Sequence, residues 1–134
     1  MFLDASAMVA ILTTEPGHDA LIDRMEGATN LITSGFAVIE TILAIHRIDR
    51  LAIPIADEIV RALLANANVA LVPLTEAETR GAVVAYTKFG KGQGHPARLN
   101  LGDCFAYACA RTHEVPLLFV GNDFSRTDIA SALG

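Results

Sequence analysis

The chain has 134 residues, 52% of them apolar and 19% charged, with 10 basic against 15 acidic side chains and a formal net charge of −5. That size and apolar content suit one compact domain and exclude wholesale disorder. The acidic balance argues against a general nucleic-acid coat, and no apolar run approaches the roughly 18 residues of a bilayer span.

Met1-Phe-Leu-Asp4 is an apolar burst ending in an acid and predicts a first strand over about residues 2–5. Asp4 also stands where a secretory signal would carry basic residues, so a cytoplasmic location is expected. Ser6 is placed to cap a short helix over 7–13, stopped by Pro16. His18 to Glu26 is amphipathic, and Leu31-Ile-Thr33 reads as a second strand between turn-forming residues. Phe36 to Arg50 carries the strongest helical spacing, through Phe36, Ile39, Leu43 and His46 or Arg47. Pro54 suits the first turn of a further helix that runs to about Asn66.

Val69 to Leu74 predicts a third, buried strand. Thr75-Glu-Ala-Glu78 has the capping-box pattern and opens a helix to about Tyr86. The segment Phe89-Gly-Lys-Gly-Gln-Gly-His-Pro96 is a loop; it lacks the Gly-Lys-Ser/Thr ending of a phosphate cradle. Asn100 caps a helix over about 101–114, Val115 to Val120 forms a fourth strand, and 127–133 is a short helix or strand. Cys104 and Cys109 are too few for a disulfide framework and are read as reduced and partly buried on one helix. Strands alternating with helices imply an α/β/α sandwich with a mainly parallel sheet of four or five strands, spanning 1–134 as one domain.

In parallel α/β sheets the functional crevice lies beyond the carboxyl ends of the strands. Asp4 ends the first strand and Asp123 follows the fourth, so parallel pairing would bring both to one edge. Glu40 lies on a helix among Phe36, Ala37, Leu43 and Ala44, where burial is costly without a cation or hydrogen bonds. Asp103 occupies the first turn of its helix, where it also suits the macrodipole. Each acid alone has an ordinary reading as a cap, turn or surface residue. Together they form a set that repels itself unless a cation joins it.

An all-oxygen set selects Mg²⁺, with Mn²⁺ as a substitute, over zinc. The chemistry implied is metal-assisted hydrolysis of a phosphodiester. Ser6 is placed either to cap its helix or to hydrogen-bond a phosphate oxygen or a water on the metal. No acid falls between Thr79 and Gly102, whereas Arg80, Lys88, Lys91, His95 and Arg98 do. That segregation marks Lys88, Lys91, His95 and Arg98 as a basic stretch that could meet phosphates, against the alternative of a solvated basic loop. His46 reads as a helix-surface or core-edge residue, and His18 and His113 as solvent-facing.

Leu3-Asp-Ala-Ser-Ala7, the helix bearing Glu40, Leu101-Gly-Asp-Cys-Phe-Ala-Tyr-Ala108 and Phe119-Val-Gly-Asn-Asp-Phe124 resemble the PIN-domain family, and within it the VapC-type toxins of toxin–antitoxin pairs. The likeness covers essentially the whole chain, including Gly94 to Asn100. It implies a Mg²⁺-dependent endoribonuclease that cuts tRNA or ribosomal RNA and so inhibits translation. It also implies a homodimeric toxin core and a VapB-type antitoxin that covers or enters the active site.

Carried over by position, Asp4, Glu40, Asp103 and Asp123 would form the catalytic and metal-binding pocket. Asp4 and Asp103 would be metal ligands, Glu40 and Asp123 ligands directly or through water, and Asp128 a supporting residue. Ala5 departs from the threonine common in relatives, and Asn122 from an acid. A phospho-receiver domain is the competing reading of similar length. It wants adjacent acids after the first strand and an acceptor Asp after the third, and this chain has neither. A third reading keeps the fold without turnover, as an RNA- or antitoxin-binding scaffold.

Overall fold

The computed structural model describes all residues 1–134. Its elements in chain order are β1 (Phe2–Leu3), α1 (Ala5–Leu12), α2 (His18–Glu26), β2 (Ile32–Ser34), α3 (Gly35–Asp49) and α4 (Ile53–Asn66). After these come β3 (Ala70–Val72), α5 (Glu76–Phe89), α6 (Leu101–Thr112), β4 (Leu117–Leu118) and a 3₁₀ turn over Phe124–Arg126. The four strands form one sheet in the order β3-β2-β1-β4, and every pairing is parallel. Helices cover both faces, as the alternation of strands and helices predicts.

The strands are shorter than the apolar runs that contain them. β1 ends at Leu3 because the next residue already caps a helix: Asp4 has extended dihedrals, and its side chain accepts from the Ser6 amide. The helix therefore begins at Ala5, and Asp4 is the cap where Ser6 was expected. β3 is an edge strand whose Leu71 is 49% exposed, so the buried strand expected over 69–74 is corrected. An edge position leaves one side of the strand without a partner. At the opposite edge, residues 127–133 form neither a helix nor a full strand; Ser131 makes one parallel bridge to Leu117.

A single cluster of buried apolar side chains fills the interior, with Phe2 and Leu3 of β1 and Leu117 and Leu118 of β4 fully buried in it. α6 packs on β1, β2 and β4, and α5 lies against α6. The latter approach is close: a Cβ on Gly81 would stand 3.0 Å from the Ala108 Cβ, so glycine and alanine set the spacing of these helices. α3 packs against both α1 and α4. The predicted capping box of Thr75 with Glu78 forms on α5, and the predicted Asn100 cap on α6 is itself a capping box, closed by Asp103. No helix is long and apolar enough to cross a membrane.

Cys104 and Cys109 are free and buried. Burial first, and then the nearby Asp103 and Glu78 carboxylates respectively, push their thiols up to about 11 and about 12. They are small apolar packing groups with little thiolate character.

Candidate active site

The order β3-β2-β1-β4 places a topological switch between β1 and β4. The chain winds from β1 outward through β2 and β3, then returns to the other side of β1. Crevices open beyond the strand ends at such a point. The register pairs Phe2 with Leu117 and Leu3 with Leu118. The Asp4 amide donates to the Leu118 carbonyl at 3.0 Å, so Asp4 and the segment after β4 leave the same end of the sheet side by side.

A cleft of about 510 Å³ opens there, and Asp4, Glu40, Asp103 and Asp123 all line it. Four carboxylates spread over some 120 positions of sequence thus meet at one hollow. Asp4 is contributed by the end of β1, Glu40 by the middle of α3, Asp103 by the first turn of α6 and Asp123 by the loop after β4. Asn100, Ser6 and Val120 share the wall. Glu15 and Arg47 line it too, and the sequence reading marks neither as a site residue. For Glu15 the available signal was its place just before Pro16, where the chain leaves α1. For Arg47 it was the seven-residue spacing from Glu40, which puts both on one side of α3.

Two of the four carboxylates are held in place. Asp4 is buried, and its Oδ2 accepts from the Ser6 amide at 3.0 Å and from the Ser6 hydroxyl at 2.5 Å. The same hydroxyl oxygen accepts from the Val120 amide at 3.0 Å, so Ser6 ties β1, α1 and the exit of β4 together. Asp103 Oδ2 accepts from the Asn100 amide at 3.0 Å, while Asn100 Oδ1 accepts from the Asp103 amide at 2.8 Å. Glu40 accepts no hydrogen bond and sits over α6 at Gly102, where a Cβ would lie 2.6 Å from the Glu40 Cδ.

The electrostatics of the cleft follow from this crowding. Burial, then the charges of Asp4 and Asp103, push Glu40 up to about 7. Burial raises Asp103 to about 6 against the opposing pull of the Asn100 amide, with Asp4 and Asp123 adding to the rise. Asp4 is also raised, by burial foremost and by Asp123, although the Ser6 hydrogen bonds pull the other way. Carboxylates that share a hollow and resist ionisation together are a site for added positive charge.

The donor chemistry fits a hard divalent cation, since the acids lining the cleft offer oxygen alone and no histidine or cysteine joins them. The side chains are not, however, gathered into a closed shell: no three His, Cys, Asp or Glu residues are disposed as a ready-made ligand set. Mutual repulsion, and the caps that occupy one oxygen each of Asp4 and Asp103, account for the spread. Mg²⁺ commonly takes one or two carboxylates and keeps several waters, so an open arrangement suits it.

The other expected residues lie elsewhere. Asp128 is not on the cleft wall; its Oδ1 accepts from the Tyr107 hydroxyl at 2.6 Å, and it shares a separate surface hollow with Arg111 and Ile129. Lys88 is exposed on the last turn of α5, and Lys91 and Arg98 are exposed on the segment that leads from α5 into Asn100. That segment is braced at its base, where Leu99 and Lys91 amides donate to the Phe89 and Leu99 carbonyls. His95 packs edge-on against Phe89, and its Nδ1 accepts from the Ala97 amide. His113 is not simply solvent-facing: its Nε2 lies 3.7 Å from Glu78 Oε1. Glu78 is buried, and hydrogen bonds from Thr75 hold its carboxyl below the usual range.

A family profile described as PIN domain matches residues 1–130. The chain is 39% identical to ribonuclease VapC42 of Mycobacterium tuberculosis over 132 residues, 98% of each chain. It is 37% identical to a VapC ribonuclease of Rhizobium meliloti, over 96% of this chain and 98% of the other. Its fold superposes on the crystal structure of Mycobacterium tuberculosis VapC20, described as a toxin that cleaves the sarcin–ricin loop. That match has a TM-score of 0.75, covers 96% and 95% of the two chains, and carries 17% identity.

Proposed function

The chain belongs to the PIN-domain family, in its VapC branch, and on that premise we propose that it is a Mg²⁺-dependent endoribonuclease and the toxin of a toxin–antitoxin pair. Its substrate in this reading is structured RNA, tRNA or ribosomal RNA, whose cleavage inhibits translation. Its partner is a VapB-type antitoxin, and its own assembly is a homodimer. The observation that carries the reading is the meeting of Asp4, Glu40, Asp103 and Asp123 at one cleft on the switch point of a parallel sheet. The scaffold without turnover has no use for a buried Asp4 and a half-buried Glu40 that destabilise each other.

Asp4 and Asp103 would hold Mg²⁺ or Mn²⁺, with Glu40 and Asp123 binding directly or through water. Bound there, such an ion neutralises charge on the phosphoryl oxygens and makes the attacking water more acidic. The chain's own residues supply orientation. Ser6 fixes the Asp4 carboxylate, the Asn100 amide fixes that of Asp103, and neither has to reorganise when substrate arrives. Glu40, which lines the cleft and accepts no hydrogen bond from the chain, leaves its carboxylate oxygens free to orient the attacking water and receive its proton. Lys88, Lys91, His95 and Arg98 would meet the RNA backbone, on a stretch of sequence free of acids.

Incubation of purified protein with tRNA and ribosomal RNA tests the proposal. Cleavage in Mg²⁺, none in excess EDTA, and recovery on adding Mn²⁺ are expected. Undiminished cleavage in EDTA, or intact RNA after prolonged incubation with either ion, would contradict it.

A further inference from the structure

Arg47 is the one cation on the wall of a cleft that carries five acids, Glu15 among them. It makes no salt bridge with any of them. Its α3 neighbours four and three positions before it are Leu43 and Ala44, and the helix ends at Asp49 before a following neighbour at that spacing, so α3 places no acid beside it. An unpaired guanidinium on the rim of an acidic hollow is free for a ligand that brings its own negative charge.

The wall between Glu40 and Arg47 fixes where that charge would sit. Glu40, Leu43, Ala44 and Arg47 follow the 0, 3, 4, 7 spacing and all line the cleft, so they form one continuous stripe. Seven residues of α-helix advance about 10 Å along the axis. Arg47 is thus displaced by two helical turns from the carboxylate end of the stripe, and apolar Leu43 and Ala44 pave the interval. Guanidinium presents a planar fork of donors that matches two phosphate oxygens at once.

We infer that Arg47 binds a phosphate of the RNA strand flanking the one that is cut, and so sets the direction in which the strand crosses the carboxylates. The inference rests on the ribonuclease reading above and adds to it a substrate-positioning residue. A cation in the last turn of α3 also suits the helix macrodipole, and that lesser role affects stability alone.

Fluorescein-labelled bulk tRNA, titrated in excess EDTA to separate binding from cleavage, tests the inference. Arg47→Ala is expected to weaken binding about tenfold and to flatten the dependence of log affinity on log salt by roughly one phosphate contact. Arg47→Lys, which keeps the charge and loses the fork, should fall between. In the Mg²⁺ cleavage assay KM should rise while kcat holds. Unchanged affinity and salt slope in Arg47→Ala would overturn the inference, as would a variant that only melts earlier or binds Mg²⁺ more tightly. Wild-type protein that neither binds nor cuts RNA would instead remove the ribonuclease reading, and this inference with it.

Discussion

Glu40 of α3 rests directly on Gly102 of α6, where the missing side chain leaves room for the carboxylate: a Cβ on Gly102 would stand 2.6 Å from the Glu40 Cδ. The contact joins two elements that each bring an acid to the cleft. It explains why the residue before Asp103 lacks a side chain. Gly102→Ala should therefore displace Glu40 while leaving the helix intact, since alanine is the better helix former by up to about 1 kcal/mol. The expected outcome is an unchanged or slightly higher melting temperature with RNA cleavage reduced at least tenfold. Full activity in this variant would mean that the position of Glu40 is immaterial.

Asp4→Asn and Asp103→Asn separate charge from structure. Asparagine keeps an acceptor for the Ser6 amide at position 4 and for the Asn100 amide at position 103, so both helix caps survive. Each change also removes one member of a mutually repelling set. Both variants should fold at least as stably as wild type in EDTA and lose RNA cleavage. Asp4→Ala, by contrast, should lose about 1 kcal/mol with the cap. Retained cleavage in both asparagine variants would detach these residues from the chemistry.

The pH dependence of stability has a definite sign. Burial and neighbouring charge lift Glu40 to about 7 and Asp103 to about 6, above their unfolded values of 4.5 and 3.8. Between those values the folded state binds more protons than the unfolded one, so stability falls as pH rises. In EDTA the melting temperature should drop by a few degrees between pH 5 and pH 8. Glu40→Gln should flatten the drop, and saturating Mg²⁺ should offset it by binding the folded state. A melting temperature that rises over this range in EDTA would contradict the crowding of the carboxylates.

Lys88 ends α5, and Lys91 begins the braced segment that enters α6 through Asn100. Replacing both with alanine should weaken RNA binding across sequences and lower the salt slope by about two contacts. The cleft is untouched, so kcat at saturating RNA should stay near wild type. Identical affinity and slope would leave the basic segment as a solvated loop.

Much of this arrangement was legible in the sequence because local chemistry and tertiary role coincide. Thr75-Glu78 and Asn100-Asp103 each encode a complete cap, and both form. Asp4 and Asp123 were expected at one sheet edge, and the parallel β1–β4 register puts the chain segments that carry them there. Other features were ambiguous by nature. Asp4 and Ser6 are both good caps, and only the geometry shows Asp4 capping while Ser6 bridges it to Val120. The apolar run at Val69–Leu74 reads as buried, although its strand lies at the edge with Leu71 exposed. Glu15, Arg47 and the Tyr107–Asp128 bond are long-range juxtapositions, and no local pattern announces them.

Anomalous scattering from a crystal grown with Mn²⁺ tests the central claim most directly. The account predicts a peak in the cleft, coordinated by Asp4 and Asp103 and approached by Glu40 and Asp123. Empty density there, or an ordered ion bound only at some other carboxylates, would contradict it.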